Sequence, residues 1–289
     1  MLNRLFGNYL VNKKCITQEQ LDSILPVSNE SKASVEVIAV ILKYMSPPQV
    51  QSLLSKIDKN TTRFGEAAVD AGYITDDRLD KILTYQGNAF MRFVQLLYAQ
   101  NLISLETVSQ LLDDFKTENQ YNAGQMEALI ANDLEELVNI FVPINNLKLK
   151  ELALTLVQTI IKLIDPDMYL EKSYVANTIQ LDRYAAQTIE GDINIRLYIS
   201  GAMNELLGIA NYFTSDTYSA VNEDALDNVG EFINCVSGLF ATNMSYDDVL
   251  IDMKSPEYAM EGPYLNEGKM FVIPIHLNGH LIRAVLEVF

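Results

Sequence analysis

Residues 223–241 read EDALDNVGEFINCVSGLFA, and this stretch decides how the C-terminal half of the chain is interpreted. At about 100° per residue, five apolar positions fall within an arc of about 80° on a helix: Leu226, Val229, Ile233, Val236 and Phe240. Glu231 and Asn234 lie three positions apart, so they are neighbours on the helix surface, and both point away from the apolar stripe. The pattern predicts a helix that packs on a core and presents a carboxylate beside a carboxamide.

Small or short residues surround the pair formed by Glu231 and Asn234. Asp227 and Gly238 share the face of the pair, and Gly230 lies at its edge. Because none of these residues is bulky, the pair is unobstructed and a flat surface can dock on it. We therefore predict that Asp227, Gly230 and Gly238 contact a partner.

The residues around this stretch predict an antiparallel sheet. Residues 193–199 alternate between apolar and polar positions, which is typical of a half-buried strand. Near the C-terminus, Asn278-Gly279 separates two apolar runs and is the strongest short hairpin signal. Strands are predicted over 182–189, 193–199, 249–253, 270–277 and 280–288, and helices over 126–141, 147–165, 201–213 and 222–243. This half is predicted to be α+β, with two long helices that cover one face of the sheet.

The first 119 residues contain a repeat with a period of 29 residues, and its copies start at Leu5, Ser34, Arg63 and Arg92. A hydroxyl residue precedes an apolar helical pattern at the same offset in every copy: Thr17, Ser46, Thr75 and Ser104. Such residues cap helix N-termini, and in the first two copies a glutamine three positions later completes a capping box. The pattern predicts an all-α array of four helix-turn-helix repeats.

The boundary between the two halves is predicted within residues 117–125, which are polar and carry no period. We expect a helical repeat domain over 1–119 and a second domain over 122–289. The predicted fold class is therefore α+β, with an all-α array followed by an α/β sandwich.

The net charge of −17 lies almost entirely in the second half of the chain. Residues 1–120 carry 12 Lys and Arg against 14 Asp and Glu, whereas residues 121–289 carry 9 against 24. An acidic surface repels nucleic acid and favours a partner that presents lysine or a bound metal. We therefore expect no nucleic-acid binding.

The chain shows no signal for a membrane or for export. No apolar run reaches the roughly 18 residues of a membrane span. The N-terminus lacks the basic region and apolar core of a signal peptide. Cys15 and Cys235 have no metal-ligand spacing and are expected to be reduced thiols. These features predict a cytoplasmic protein without membrane insertion.

The run Gly230-Glu231-x-x-Asn234-x-x-x-Gly238 resembles the signature helix of the CheC/CheX/FliY family of chemotaxis phosphatases. The order of predicted elements over residues 145–289 is similar to that of CheX. The resemblance implies a CheX-like sandwich that removes the phosphoryl group from the aspartate of a CheY-like response regulator. It also implies that Asn234 orients the attacking water and that Glu231 pairs with a lysine of the regulator. The Mg²⁺ ion would belong to the regulator, with no cofactor in this chain, and a homodimer through this domain is implied.

The resemblance has departures that limit it to one site. The family often has glycine before the asparagine, where this chain has Ile233, which the helical phase places toward the core. CheC-type members carry a second motif on the leading helix, but Glu151-Leu-Ala-Leu154 has no amide at that place. Glu136-Leu-Val-Asn139 also fits the spacing, yet it lacks the flanking glycines, and an ordinary helix surface is favoured there.

The repeats resemble the N-terminal domain of pilus and type II secretion ATPases, which in some members binds cyclic di-GMP. Arg63, Gly65 and Gln86 form one intact motif in the third repeat, together with Gly72. Those proteins need two complete motifs, and the first and fourth repeats have Lys14 and Asn101 in place of Gly72. A structural or protein-docking array is therefore favoured.

Two alternatives to the phosphatase hypothesis remain open. One is a non-catalytic adaptor of the CheX fold, which would bind a partner without hydrolysis. The other is a cyclic-dinucleotide sensor that uses the N-terminal repeats.

Overall fold

The computed structural model describes residues 1–27, 32–58, 62–213, 217–266 and 268–289. The chain forms two compact units, Leu2–Ala131 and Asn132–Phe289. In the described part of the chain, no helix combines the length and hydropathy needed to cross a bilayer.

The N-terminal unit begins with four successive helix pairs, as the repeat predicts. The helices are α1 (Leu2–Asn12), α2 (Gln18–Val27), α3 (Val35–Ile41), α4 (Pro47–Leu54), α5 (Phe64–Asp70), α6 (Asp76–Thr84), α7 (Ala89–Ala99) and α8 (Leu105–Glu118). The second helix of each pair starts 29 residues after the previous one, at Gln18, Pro47, Asp76 and Leu105. All four predicted caps are present, with the hydroxyl oxygen accepting a backbone N–H three residues later at 3.1–3.4 Å.

The turn inside each pair has one residue in the left-handed backbone region. These residues have φ values of 59°, 59°, 71° and 55° and stand 29 positions apart, at Lys14, Lys43, Gly72 and Asn101. Glycine adopts this conformation without steric cost, and other residues adopt it less readily. Lys14 and Asn101 therefore differ from the motif glycine Gly72 in residue type but not in backbone conformation, because the φ value is similar in all four turns.

Gly7 and Gly65 lie where the two helices of their repeats pack closely. A Cβ atom on Gly7 would lie 2.4 Å from Leu21 Cδ1, and one on Gly65 would lie 2.6 Å from Leu79 Cδ1. Both leucines occupy the same repeat offset on the second helix of the pair. These glycines therefore let the two helices of their own repeats pack in close contact.

The N-terminal unit extends about ten residues beyond the predicted boundary. Helix α9 (Ala123–Ala131) belongs to this unit because Asn88 Nδ2 donates to the Ile130 carbonyl at 2.7 Å. The single helix predicted over 126–141 is wrong, since the backbone turns at Asn132, where φ is 58°. The chain then continues as α10 (Leu134–Phe141), which lies in the C-terminal unit.

The C-terminal unit is built on an antiparallel sheet, as predicted. Its order is β1-β9-β10-β5-β4-β6, with β2 also paired to β9 and β7 also paired to β4, while β3 and β8 form a separate pair. The strands are β1 (Tyr169–Leu170), β2 (Tyr174–Ala176), β3 (Ile179–Gln180), β4 (Arg183–Gly191), β5 (Ile195–Gly201), β6 (Ile251–Met253), β7 (Glu257–Ala259), β8 (Tyr264–Leu265), β9 (Lys269–Leu277) and β10 (His280–Val288). The hairpin at Asn278-Gly279 is confirmed, with φ values of 48° and 83°.

Two long helices pack together beside this sheet. Helix α11 (Leu147–Leu163) contacts α13 (Glu223–Ser245), and α13 lies on β4 and β5. The helix predicted over 201–213 is shorter than expected, because residues 202–206 form turns. Only α12 (Leu207–Ala210) and one 3-10 turn (Asn211–Phe213) are helical there.

The other face of the sheet has its own small core, which contains Leu181, Ala186, Tyr198, Met270, Val272 and Val285. Burial raises the pKa of Tyr198, and its hydroxyl donates to Glu287 Oε2 at 2.7 Å. Since successive residues of a strand point to opposite faces, Ala186 faces this cluster while Gln187 faces α13.

Candidate functional site

Helix α13 has the orientation that its apolar stripe predicts. The five stripe residues, from Leu226 to Phe240, are each 0% exposed. Asn222 caps the helix, with its Oδ1 accepting the Ala225 N–H at 2.8 Å. Ile233 is among the buried residues, so its departure from the family pattern lies in the core and leaves the outer face unchanged.

The outer face of α13 presents Glu231 and Asn234 side by side, and both side chains are exposed. Asp227 is exposed one turn before Glu231 on the same face. Among the residues that the structure describes, Glu231 forms no ion pair, so its carboxylate is available to a cation from outside. The structure therefore brings the two predicted catalytic residues together on one open surface.

A buried glutamine from the sheet holds Asn234. Gln187 on β4 is 1% exposed, and its Nε2 donates to Asn234 Oδ1 at 2.9 Å and to the Lys254 carbonyl at 2.8 Å. Sequence reasoning missed this residue. The available signal was an amide at a position where the strand alternation calls for an apolar side chain, between Ala185 and Ile189.

The two glycines beside the pair have different environments. Gly238 is partly exposed, and a Cβ atom there would have no neighbour within 4 Å, so the surface next to Asn234 is open. Gly230 is buried, and its Cβ would lie 3.1 Å from Pro256 Cβ. Its predicted role as a partner contact needs correction, because Pro256 of the same chain covers it.

The segment that supplies Pro256 also supplies the carbonyl that Gln187 contacts. Lys254 follows β6, and its N–H donates to the Thr188 carbonyl at 3.0 Å, which ties the segment to β4. Its ammonium pairs with Asp252 at 2.7 Å and Glu190 at 3.1 Å. The hydrogen bond between Lys254 and Asp252 raises the pKa of Lys254 and lowers that of Asp252.

The second Glu-x-x-Asn sequence lies on α10. Glu136 and Asn139 are also exposed, and Asn139 Nδ2 donates to Glu136 Oε1 at 3.4 Å. In the described part of the chain, no side chain from the core forms a hydrogen bond with this amide. The interpretation of this pair as an ordinary helix surface stays a prediction.

The leading helix α11 has no amide at the place of a second family motif. Glu151 instead accepts a hydrogen bond from Asn243 Nδ2 at 3.0 Å. A cleft of about 780 Å³ includes Asn139, Glu151 and Leu154 in its lining but neither Glu231 nor Asn234. The predicted site thus lies on an open helix face, which suits a macromolecule better than a small ligand.

In the repeats, Arg63, Gly65 and Gln86 line one cleft of about 600 Å³. The Arg63 side chain is 88% exposed and lies 3.6 Å from Glu66. Gln86 Nε2 donates to the Ala33 carbonyl at 3.3 Å, and Gly65 makes the helix contact described above. Packing within the array accounts for Gly65 and Gln86. The favoured interpretation, a structural or protein-docking array, stays a prediction, and nucleotide binding stays an untested alternative.

Comparison with protein families identifies the C-terminal half. Residues 183–276 match the family described as chemotaxis phosphatase CheX. This segment runs from the start of β4 into β9 and contains all of α13. The C-terminal unit is therefore CheX-like. No curated protein sequence matches the chain.

Solved structures similar to this chain include chemotaxis protein CheX from Desulfovibrio desulfuricans, with 16% identity and a TM-score of 0.43 over 50% of this chain and 100% of that chain. CheX from Vibrio vulnificus has 15% identity and a TM-score of 0.43 over 49% and 99% of the two chains. The CheX-CheY-BeF3-Mg²⁺ complex from Borrelia burgdorferi has 13% identity and a TM-score of 0.38 over 48% and 96%.

Proposed function

We propose that the CheX-like unit hydrolyses the aspartyl-phosphate of a CheY-like response regulator, in chemotaxis or related two-component signalling in the cytoplasm. The observation that carries this proposal is the exposed pair of Glu231 and Asn234 on α13, within the segment that matches the CheX family. The anchoring of Asn234 by buried Gln187 supports it further.

Asn234 fits the chemical step because phosphoryl transfer is accelerated mainly by positioning and electrostatics. A water molecule attacks phosphorus, the bond from phosphorus to the aspartyl oxygen breaks, and the electron pair stays on the regulator's carboxylate. The water proton passes to a phosphate oxygen or to solvent. A neutral amide can hold this water in line with phosphorus without repelling the phosphoryl oxygens.

Glu231 fits the recognition step because its carboxylate has no cation partner of its own among the described residues. Such a carboxylate forms a charge-assisted hydrogen bond with a lysine that the regulator presents. Asp227 adds a second negative charge on the same face, and Gly238 leaves room for the approaching surface. The Mg²⁺ ion of the reaction comes with the regulator, and a homodimer through the CheX-like unit remains compatible with this assignment.

The repeat unit has no chemical role in this proposal. We assign it to targeting or regulation, because its described contacts serve helix packing and its caps and turns repeat regularly.

The test is the decay of the phosphorylated regulator with the full chain present. The double variant Glu231→Ala/Asn234→Ala is expected to accelerate this decay less than the wild type by a factor on the order of 10²–10³. A loss of this size is typical when one positioned group is removed from an active site. The matched control is Glu136→Ala/Asn139→Ala, which removes the same two kinds of side chain at the same spacing from α10. With this control, the phosphorylated regulator should decay at the same rate as with the wild type.

Two other outcomes decide against the phosphatase. If the phosphorylated regulator decays at the same rate with the wild type, with the double variant and without either protein, hydrolysis by this chain is excluded. Binding of the phosphorylated regulator without faster decay would support the adaptor alternative instead.

A further inference from the structure

The side-chain amide groups of Gln187 and Asn234 meet, and each has a nitrogen end that donates hydrogen bonds and an oxygen end that accepts them. Gln187 contacts both Asn234 and the backbone carbonyl of Lys254, at 2.9 Å and 2.8 Å. A carbonyl oxygen accepts hydrogen bonds and cannot donate them. The end of Gln187 that faces Lys254 must therefore be the nitrogen.

This assignment determines the orientation of Asn234. The same Gln187 nitrogen faces Asn234, so the end of Asn234 that accepts its hydrogen bond must be the oxygen. The Asn234 NH2 group is then the end left for the exposed side of α13. A backbone carbonyl thus sets the direction of an exposed side chain through one buried glutamine.

A glutamine at position 187 lowers the stability of the fold. It is 1% exposed, and its Oε1 has no hydrogen-bond partner among the described residues. A buried amide oxygen without a partner destabilises a fold, and an apolar side chain of similar shape avoids that loss. The contact with Asn234 accounts for an amide at this position, whereas core packing does not.

From this geometry we propose that Gln187 is a positioning residue for Asn234. It holds the Asn234 carboxamide with its NH2 group toward the docked partner, so that Asn234 acts as a hydrogen-bond donor. The catalytic consequence rests on the proposed function of the α13 surface, whereas the orientation of the amide does not.

A donor suits the attacking water in a specific way. The water oxygen accepts one hydrogen bond from Asn234 Nδ2 and directs its remaining lone pair at phosphorus. The water protons stay free to point at acceptors on the regulator or at the phosphoryl oxygens. An amide free to rotate would present its oxygen part of the time and lose this alignment.

The test replaces Gln187 by methionine, which keeps the length of the side chain and removes its nitrogen. In Gln187→Met, kcat for hydrolysis of the phosphorylated regulator is expected to fall about tenfold or more, because small misplacements of a positioned group have large rate effects. KM is expected to stay constant, since Glu231 and Asp227 are unchanged. Thr188→Val, on the opposite face of the same strand, is the control and should keep both constants.

A second measurement is independent of catalysis. Side-chain coupling constants of Asn234, measured by NMR on the full chain, should report one rotamer in the wild type and averaging in Gln187→Met. Persistence of one rotamer in the variant would overturn the positioning role. Averaging together with an unchanged kcat would overturn its catalytic importance. If the wild type does not hydrolyse the regulator, the proposed function fails, and the rotamer comparison still decides the role of Gln187.

Asn234→Asp covers the case in which Gln187→Met does not fold. An aspartate oxygen still accepts the Gln187 hydrogen bond, and the substitution lies on an exposed helix surface. The outward NH2 donor is lost and a negative charge is added in its place, so kcat should again fall at least about tenfold, the loss expected of a misplaced or missing positioning group. Wild-type kcat in this variant would contradict the donor role.

Discussion

Two Glu-x-x-Asn sequences in the C-terminal unit have the same spacing and different surroundings. On α10, Asn139 donates to its own neighbour Glu136 at 3.4 Å, so the two polar groups partly satisfy each other. On α13, Asn234 accepts a hydrogen bond from buried Gln187 at 2.9 Å, and Glu231 has no ion pair among the described residues. Helical spacing makes such residues neighbours, but contacts from other elements decide whether they point outward together.

The helices that carry the two pairs also differ. Helix α13 has 23 residues and is anchored by a fully buried stripe, whereas α10 has 8 residues. The segment around Pro256 lies against Gly230 and braces α13 close to Glu231. The two pairs therefore differ in the length of their helix and in the contact that Pro256 makes with α13 beside Glu231.

The largest expected effect is on the reaction rate. Asn234→Ala removes the amide that Gln187 orients and should lower the acceleration of regulator dephosphorylation by about 10²-fold or more. Asn139→Ala removes an exposed amide of the same kind and should leave it unchanged. Single-turnover decay of the phosphorylated regulator measures both, and equal losses in the two variants would remove the distinction between the helices.

The next effect is on binding. Glu231→Lys reverses the charge that would meet the regulator's lysine, so KM should rise about tenfold or more through like-charge repulsion. Glu136→Lys makes the same change on α10, and its KM should equal that of the wild type. Titrations at low and high salt check the cause, because screening should shrink the difference for Glu231→Lys. A salt-independent difference would point to another cause.

The two glycines of α13 predict opposite changes in stability. Gly230→Ala should lower the free energy of unfolding by up to about 2 kcal/mol, because the new Cβ meets Pro256, whose segment is tied to β4 on both sides. Gly238→Ala should raise it by roughly 0.5–1 kcal/mol, since its Cβ has open space and alanine favours the helix. Urea denaturation measures both, and stabilisation by Gly230→Ala would show that Pro256 moves aside.

The smallest effect is expected from the ion pair beside the site. Asp252 has a pKa lowered below its ordinary value of 3.8 by Lys254, so its contribution to stability is present at neutral pH and is lost as the pH falls through that lowered pKa. Asp252→Asn should slightly lower the unfolding midpoint at pH 7, and the difference should vanish at low pH. Its kcat should match the wild type, because Gln187 contacts the backbone carbonyl of Lys254 and not its ammonium.

The amino-acid sequence by itself determined the features that depend on neighbouring residues. The four capped helices of the repeats, the Asn278-Gly279 hairpin and the buried stripe of α13 all follow from local hydrogen bonding and from residue periodicity. The exposure of Glu231 and Asn234 follows in the same way, because opposite faces of one helix are related by a constant angle.

Only the tertiary structure decided the contacts between distant segments. The turn at Asn132, which separates α9 from α10, depends on how α9 packs on the repeat unit. The contact that buries Gly230 comes from Pro256, 26 positions along the chain. The hold on Asn234 comes from Gln187, 47 positions away on another strand. Periodicity indicates which face of an element is buried, but the identity of the side chain that meets it depends on strand register and on how the elements pack.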